Sequence, residues 1–185
     1  MVEGTGQFHA VRFYYDADGL CHIVSDFVVE GLNAGQPSVL AATPSHVARI
    51  EALIAARGFD VPALKRSGDL FVKDPSTLLA SLMVDGQPND ARFERVIGSL
   101  IETARGESRR MVRVYGEMVD VLWKAGSTAA ATQLEALWNL LSTSHAFVLL
   151  CAYALDGITH TTHISEICGH HTHVVTANGE VAQAH

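Results

Sequence analysis

Five histidines and one cysteine fall within fourteen residues in His160-Thr-Thr-His-Ile-Ser-Glu-Ile-Cys-Gly-His-His-Thr-His173, the densest chemistry in the chain. Imidazole and thiolate suit a transition metal such as zinc or iron, and a segment of this kind can supply three or four ligands. His170 and His173, joined by Cys168 or His163, are the ligands expected, and the apolar pair Ile164 and Ile167 predicts that the segment docks against a folded body. The spacing matches no closed structural zinc pattern, and histidine-rich tails also occur simply solvated.

A second set of reactive side chains stands where apolar runs stop. In Met111-Val-Arg-Val-Tyr-Gly-Glu-Met-Val-Asp-Val-Leu-Trp123 an extended pattern ends at Gly116 and a helical one starts at once, which places Glu117 in the first helical turn. An acid there suits the positive end of the helix dipole. It is equally well placed to meet a ligand, because open α/β sheets bind their ligands beyond the carboxyl ends of the strands. Tyr15, Asp16, Thr43, Asp74 and Tyr153 close other apolar runs, so with Gly116 and Glu117 they are the expected ligand-binding rim. Its three acids suit a neutral or cationic molecule better than a phosphate. The plainer reading is that Thr43 and Glu117 cap helices, and that Asp74, which resembles a Mg²⁺-holding strand-end acid, does so by chance.

Motifs for catalysis are missing. The phosphate loop G-x-x-x-x-G-K-[ST] does not occur, and after the first strand the chain reads Tyr15-Asp-Ala-Asp-Gly-Leu-Cys-His22, whose aspartates repel phosphate. There is no G-x-S-x-G elbow, and Cys21-His22 has no evident third partner. No catalytic residue, and no enzymatic activity, is expected.

The elements that must position these groups alternate. His9–Tyr15 reads as a strand and is followed by a helix through Ile23, Val24, Phe27, Val28 and Leu32, closed by Gly35. Pro37–Thr43 is a second strand, and Thr43-Pro-Ser opens a helix ending before Gly58. Asp69–Asp74 is a third strand, a short helix runs to Asp85-Gly86, and Pro88-Asn-Asp opens another that reaches Gly106. The strand and helix around Gly116 come next, then a helix from Ser127 carrying Leu134, Leu137, Trp138 and Leu141. Ala146–Tyr153 is a last, fully apolar strand of the kind buried on both faces. Strands alternating with helices call for a mostly parallel sheet of five or more strands with helices on both faces.

A chain of 185 residues, 48% apolar, supports one core: an arm over 1–8, a domain over 9–155, and a partly docked histidine-rich segment over 156–185. A net charge of −7 and a pI near 5.7 argue against direct nucleic-acid binding. With no signal-peptide pattern and no long apolar stretch, a cytoplasmic protein away from membranes is expected. Cys21, Cys151 and Cys168 fit a reducing compartment, and Cys151, inside an apolar run, reads as a small core residue.

In this order the segments resemble the MEDS domain, a sensory module named for methanogen and methylotroph regulators and the dichloromethane-responsive repressor. The matching stretches are His9-Ala-Val-Arg-Phe-Tyr14, Gly31-Leu-Asn-Ala-Gly35, Ala42-Thr-Pro-Ser-His46, Val84-Asp-Gly-Gln-Pro88, Arg113-Val-Tyr-Gly-Glu-Met118, Leu134-Glu-Ala-Leu-Trp138 and Leu149-Leu-Cys-Ala-Tyr153. Ile167-Cys-Gly-His-His-Thr-His173 is similar to the family's closing I-C-x-x-H-x-H segment. The resemblance implies a RecA-like α/β core without its phosphate loop, serving as a signal-input module. Family members often carry a DNA-binding helix-turn-helix or a histidine kinase, which are absent from these 185 residues, so the implied output runs through a signalling protein partner, or the chain acts as a stand-alone binder. The leading expectation is a non-enzymatic module that binds a small molecule, with self-association left open. The alternative is a metal- or haem-binding module that uses the His/Cys-rich C-terminal segment.

Overall fold

β-Branched and aromatic runs alternate with helical stripes, and each run becomes a strand whose neighbours arrive by helical crossover. The computed structural model describes residues 8–155, 161–176 and 179–184. In chain order the elements are β1 (His9–Tyr14), α1 (Ala17–Asn33), β2 (Ser38–Ala41), α2 (Pro44–Ala56), α3 (Val61–Ser67), β3 (Leu70–Lys73), α4 (Pro75–Leu82), β4 (Met83–Val84), β5 (Gln87–Pro88) and α5 (Asp90–Phe93). A π-helical turn (Glu94–Gly98) continues into α6 (Ser99–Arg105), followed by β6 (Val112–Gly116), α7 (Met118–Lys124), α8 (Thr128–Leu141), β7 (Phe147–Ala154), α9 (Thr161–Gly169), β8 (His173–Val175) and β9 (Val181–Gln183).

The main sheet has seven strands in the order β3-β2-β6-β7-β1-β8-β9. All neighbours are parallel except β8 and β9, which form an antiparallel pair at one edge. β7, the fully apolar strand of the sequence, lies in the middle of the order, between β6 and β1. Its side chains alternate as the pleat requires. Leu149, Cys151 and Tyr153 join the core formed with α4 to α8, whereas Leu150, Ala152 and Ala154 join the core under α1, α2 and α3. Helices therefore cover both faces, as a parallel sheet demands.

Several elements are absent from the sequence-based expectation. α3 is short and begins Val61-Pro62, with Asp60 capping it through the Ala63 amide at 2.9 Å. The stop at Asp85-Gly86 is a β4–β5 hairpin whose turn residues both have positive φ, 49° and 79°, as an Asp-Gly turn of this kind requires. The helix expected from Pro88 to Gly106 carries a π turn at its middle. α9, β8 and β9 carry no clear periodic signal, since β8 and β9 are three residues each. Among the described residues no helix is long and apolar enough to cross a membrane.

Candidate functional site

At the carboxyl ends of the strands the central group is Glu117, 2% exposed, in the turn between β6 and α7. Its backbone N–H donates to Ala41 O at 2.9 Å, which locks the turn to β2. Its carboxylate accepts three hydrogen bonds: from the Thr43 N–H at 2.8 Å, from His46 Nδ1 at 2.6 Å and from the Tyr115 hydroxyl at 2.8 Å. Thr43 is the N-cap of α2 but makes no side-chain cap bond, so Glu117 caps that helix from another element. The hydrogen bond from His46 holds the imidazole pKa above its ordinary value. Burial, with Glu117 beside it, drives the Tyr115 phenol well upward.

A second carboxylate continues this wall. Asp120, 4% exposed, accepts from the Ala154 N–H at 2.8 Å, from Lys124 Nζ at 2.8 Å and from the Tyr14 hydroxyl at 3.2 Å. The Tyr14 ring meets His46 edge-on, with centroids 6.2 Å apart, so the Glu117 and Asp120 groups are contiguous across the exits of β1, β2, β6 and β7. Beside them, at the exit of β1, is an open cleft of about 430 Å³ lined by Arg12, Phe13, Tyr14, Tyr15, Asp16, Gly19 and Leu155. Asp16 turns its carboxylate onto the Asp18 and Gly19 N–H groups, both at 3.0 Å. Those are amides at the start of α1, where a phosphate loop would offer its donors. In this chain an internal carboxylate takes them.

Below the rim, on the α8 side of the sheet, lies a fully buried group: His9 from β1, Cys151 from β7, Glu135 from α8 and His171 from the turn after α9. Glu135 accepts from the Tyr153 hydroxyl at 2.7 Å and lies 3.2 Å from His9 Nε2. His171 Nε2 lies 3.4 Å from Glu135 Oε1, close enough for charge attraction but without the alignment of a hydrogen bond. Burial disfavours the Glu135 carboxylate, but attraction to His171 and to His9 outweighs it and holds its pKa well below the usual carboxylate range. Burial pushes the Cys151 thiol and the Tyr153 phenol far up, with Glu135 adding to both.

Residues 8–172, most of the chain, match the family described as "MEthanogen/methylotroph, DcmR Sensory domain", or MEDS. The chain belongs to the MEDS family. Its fold is similar to that of a KaiC-like protein from the hyperthermophilic archaeon Pyrococcus horikoshii, with a TM-score of 0.61 and 16% identity over 90% of this chain and 70% of the other. At that identity the likeness is one of fold, a RecA-like sheet. No curated protein matches the chain.

The MEDS fold brings some of the rim residues together and separates others. Gly116, Glu117 and Thr43 meet at the β6–α2 junction, and Tyr15 and Asp16 border the cleft. Asp74 caps α4 through the Thr77 N–H at 2.7 Å, beyond the edge strand β3. Tyr153 points off the rim into the core, where the pleat sends it toward Glu135 and Trp123. Of the metal ligands expected from spacing, the side chain of His163 lies outside the described residues. Cys168 is partly exposed at the end of α9, and His173 stacks on Phe8 with centroids 4.7 Å apart. The His170 backbone carbonyl accepts from Asn139 at 2.9 Å. The histidine that reaches the buried group is His171, between the two expected ligands. His9 and Glu135 carry a signal of their own in the sequence, a titratable side chain within an apolar strand and within an apolar helix stripe.

Proposed function

We propose that this MEDS domain is a non-enzymatic signal-input module that takes a small uncharged molecule in the cleft at the exit of β1 and reports occupancy to a protein partner. The observation that carries the reading is the β1 exit itself. β1 is flanked by β7 and β8, which come from different crossovers, and a ligand in an open α/β sheet sits beyond the strand ends at such a switch point. Asp16 occupies the amides that would bind phosphate, and Arg12 and Asp16 bring opposite charges to the lining, which favours a neutral guest. Tyr15, 81% exposed, is an aromatic face at the cleft mouth with no packing role. The rim acids Glu117 and Asp120 are engaged in holding α2, β7 and Tyr14, which supports a binding role over a catalytic one.

The test is a thermal-shift screen of small uncharged polar compounds against the parent chain and Tyr15→Ala. Compounds that raise the melting temperature of the parent and leave Tyr15→Ala unmoved support the cleft. A hit that protects both equally, or a panel that protects neither, refutes it.

A further inference from the structure

The buried group beneath the rim has hydrogen bonds that fix where its protons are. Asn139 Nδ2 donates to His170 O at 2.9 Å, so its Oδ1 must face His9 Nδ1, 2.9 Å away, and accept from it. His171 Nδ1 donates to Ile167 O at 2.7 Å. Both rings therefore hold a proton on Nδ1 and turn Nε2 inward, the arrangement that outer partners impose on metal-binding imidazoles. His9 Nε2 lies 3.2 Å from Glu135 Oε2 and 3.4 Å from Cys151 Sγ, and Cys151 Sγ lies 3.9 Å from Glu135 Oε2. All four donor atoms fall within 4.8 Å of one another.

We propose that His9, Glu135, Cys151 and His171 form a tetrahedral site for a divalent transition-metal ion of the zinc class. Bonds of roughly 2.0 to 2.3 Å to nitrogen, oxygen and sulfur give a tetrahedron with edges of about 3.3 to 3.8 Å. The separations of 3.2, 3.4 and 3.9 Å among His9 Nε2, Cys151 Sγ and Glu135 Oε2 lie around that range, and the widest separation in the group of four, at most 4.8 Å, closes by about 1 Å of side-chain adjustment. Charge balances as well. One carboxylate and one thiolate neutralise a divalent ion, and the thiol proton leaves to solvent as the ion enters. A metal-free alternative exists, with His171 protonated against Glu135 and the Cys151 thiol donating to His9. It leaves the buried His171 Nε2 without an aligned acceptor, whereas an ion at the centre engages it. Because His9, Glu135 and Cys151 belong to β1, α8 and β7 and His171 follows α9, the ion would tie the C-terminal segment to the sheet. The inference is independent of the cleft.

The experiment uses the full chain, purified without an affinity tag, with elemental analysis and Co(II) titration after chelation. About one ion per chain is expected, with a cobalt–thiolate charge-transfer absorption that disappears in Cys151→Ser. Asn139→Ala, which removes the outer partner of His9 together with the bond to the His170 carbonyl, should weaken Co(II) binding by about 10- to 100-fold while circular dichroism stays that of the parent. A combined Cys168→Ser, His170→Ala, His173→Ala variant should bind as the parent does. A folded parent that takes up no Co(II) at micromolar concentration overturns the proposal in favour of the ion pair. A thiolate absorption that survives Cys151→Ser, or follows the combined variant, overturns it in favour of the exposed tail. If Cys151→Ser fails to fold, the Asn139→Ala affinity and the combined variant still decide.

Discussion

Replacing Glu117 by Gln changes one atom in a buried junction that three donors share. The Thr43 N–H, His46 Nδ1 and the Tyr115 hydroxyl all converge on the carboxylate, at 2.6 to 2.8 Å. A Gln side chain has one acceptor oxygen, and its NH₂ group turns a donor toward at least one of the three. Leaving a buried donor unpaired costs about 1 to 3 kcal/mol, and the surviving bonds fall from charge-assisted to neutral strength. A destabilisation of about 2 to 4 kcal/mol is expected, with the domain still folded. The assay is urea denaturation across pH 5.5 to 8.5. The His46 pKa is raised in the fold by its hydrogen bond to Glu117, so its stabilising contribution is complete below the unfolded value of about 6.5 and is lost as pH rises through the folded value. The parent should therefore lose part of its stability over that upper range, and Glu117→Gln should lose less. A midpoint within experimental error of the parent, or an unchanged pH slope, would refute the account of this junction.

Leu150→Ala removes a side chain that is 2% exposed on the central strand and should lower stability by about 2 to 5 kcal/mol by denaturant titration. Gly31→Ala places a Cβ 2.5 Å from Arg113 Cδ. That side chain cannot easily retreat, being held by Gln36, Phe27 O and Glu30, so about 1 to 3 kcal/mol should be lost. ATP with Mg²⁺ should bind more weakly than about 1 mM by calorimetry, since Asp16 holds the amides a phosphate needs. Micromolar affinity would contradict that assignment. Arg12→Val should leave the folded spectrum unchanged and raise the aggregated fraction on refolding, measured by light scattering.

The alternation of strands and helices was legible because each run had its own periodicity, and the unbroken apolar stretch from Ala146 to Tyr153 marked the buried centre, where β7 runs from Phe147 to Ala154. Residues at strand ends were harder. The end of an apolar run locates a backbone at the rim, but pleating decides whether its last side chain faces the rim or the interior, and Tyr153 goes inward. Asp74 and Asp16 occupy ordinary capping positions that sequence cannot tell from ligand contacts. The buried His9, Glu135, Cys151 and His171 group was hidden for another reason. It takes one residue from each of four segments, and local spacing carries no information about a site assembled that way. The crowded histidines near the C-terminus drew attention by proximity along the chain, while the one that enters the core does so because the Ile167 carbonyl aims it.

The position of β1 bears on how the chain reaches this state. His9 contacts Cys151, 142 residues away, and Thr172, 163 residues away, so both flanks of the strand are completed by late-made chain. At about 5 to 20 residues per second of synthesis, β1 waits on the order of ten seconds for β7 and longer for β8. Pairing of such distant segments is intrinsically slow. During that interval His9-Ala-Val-Arg-Phe-Tyr14 is a strand with two open edges, able to pair with any other nascent copy. Arg12, which in the finished fold donates to Val175 O, is the charge at the middle of that run. Before folding it guards the strand against partners of the wrong chain, and once β8 has arrived the same guanidinium fastens it.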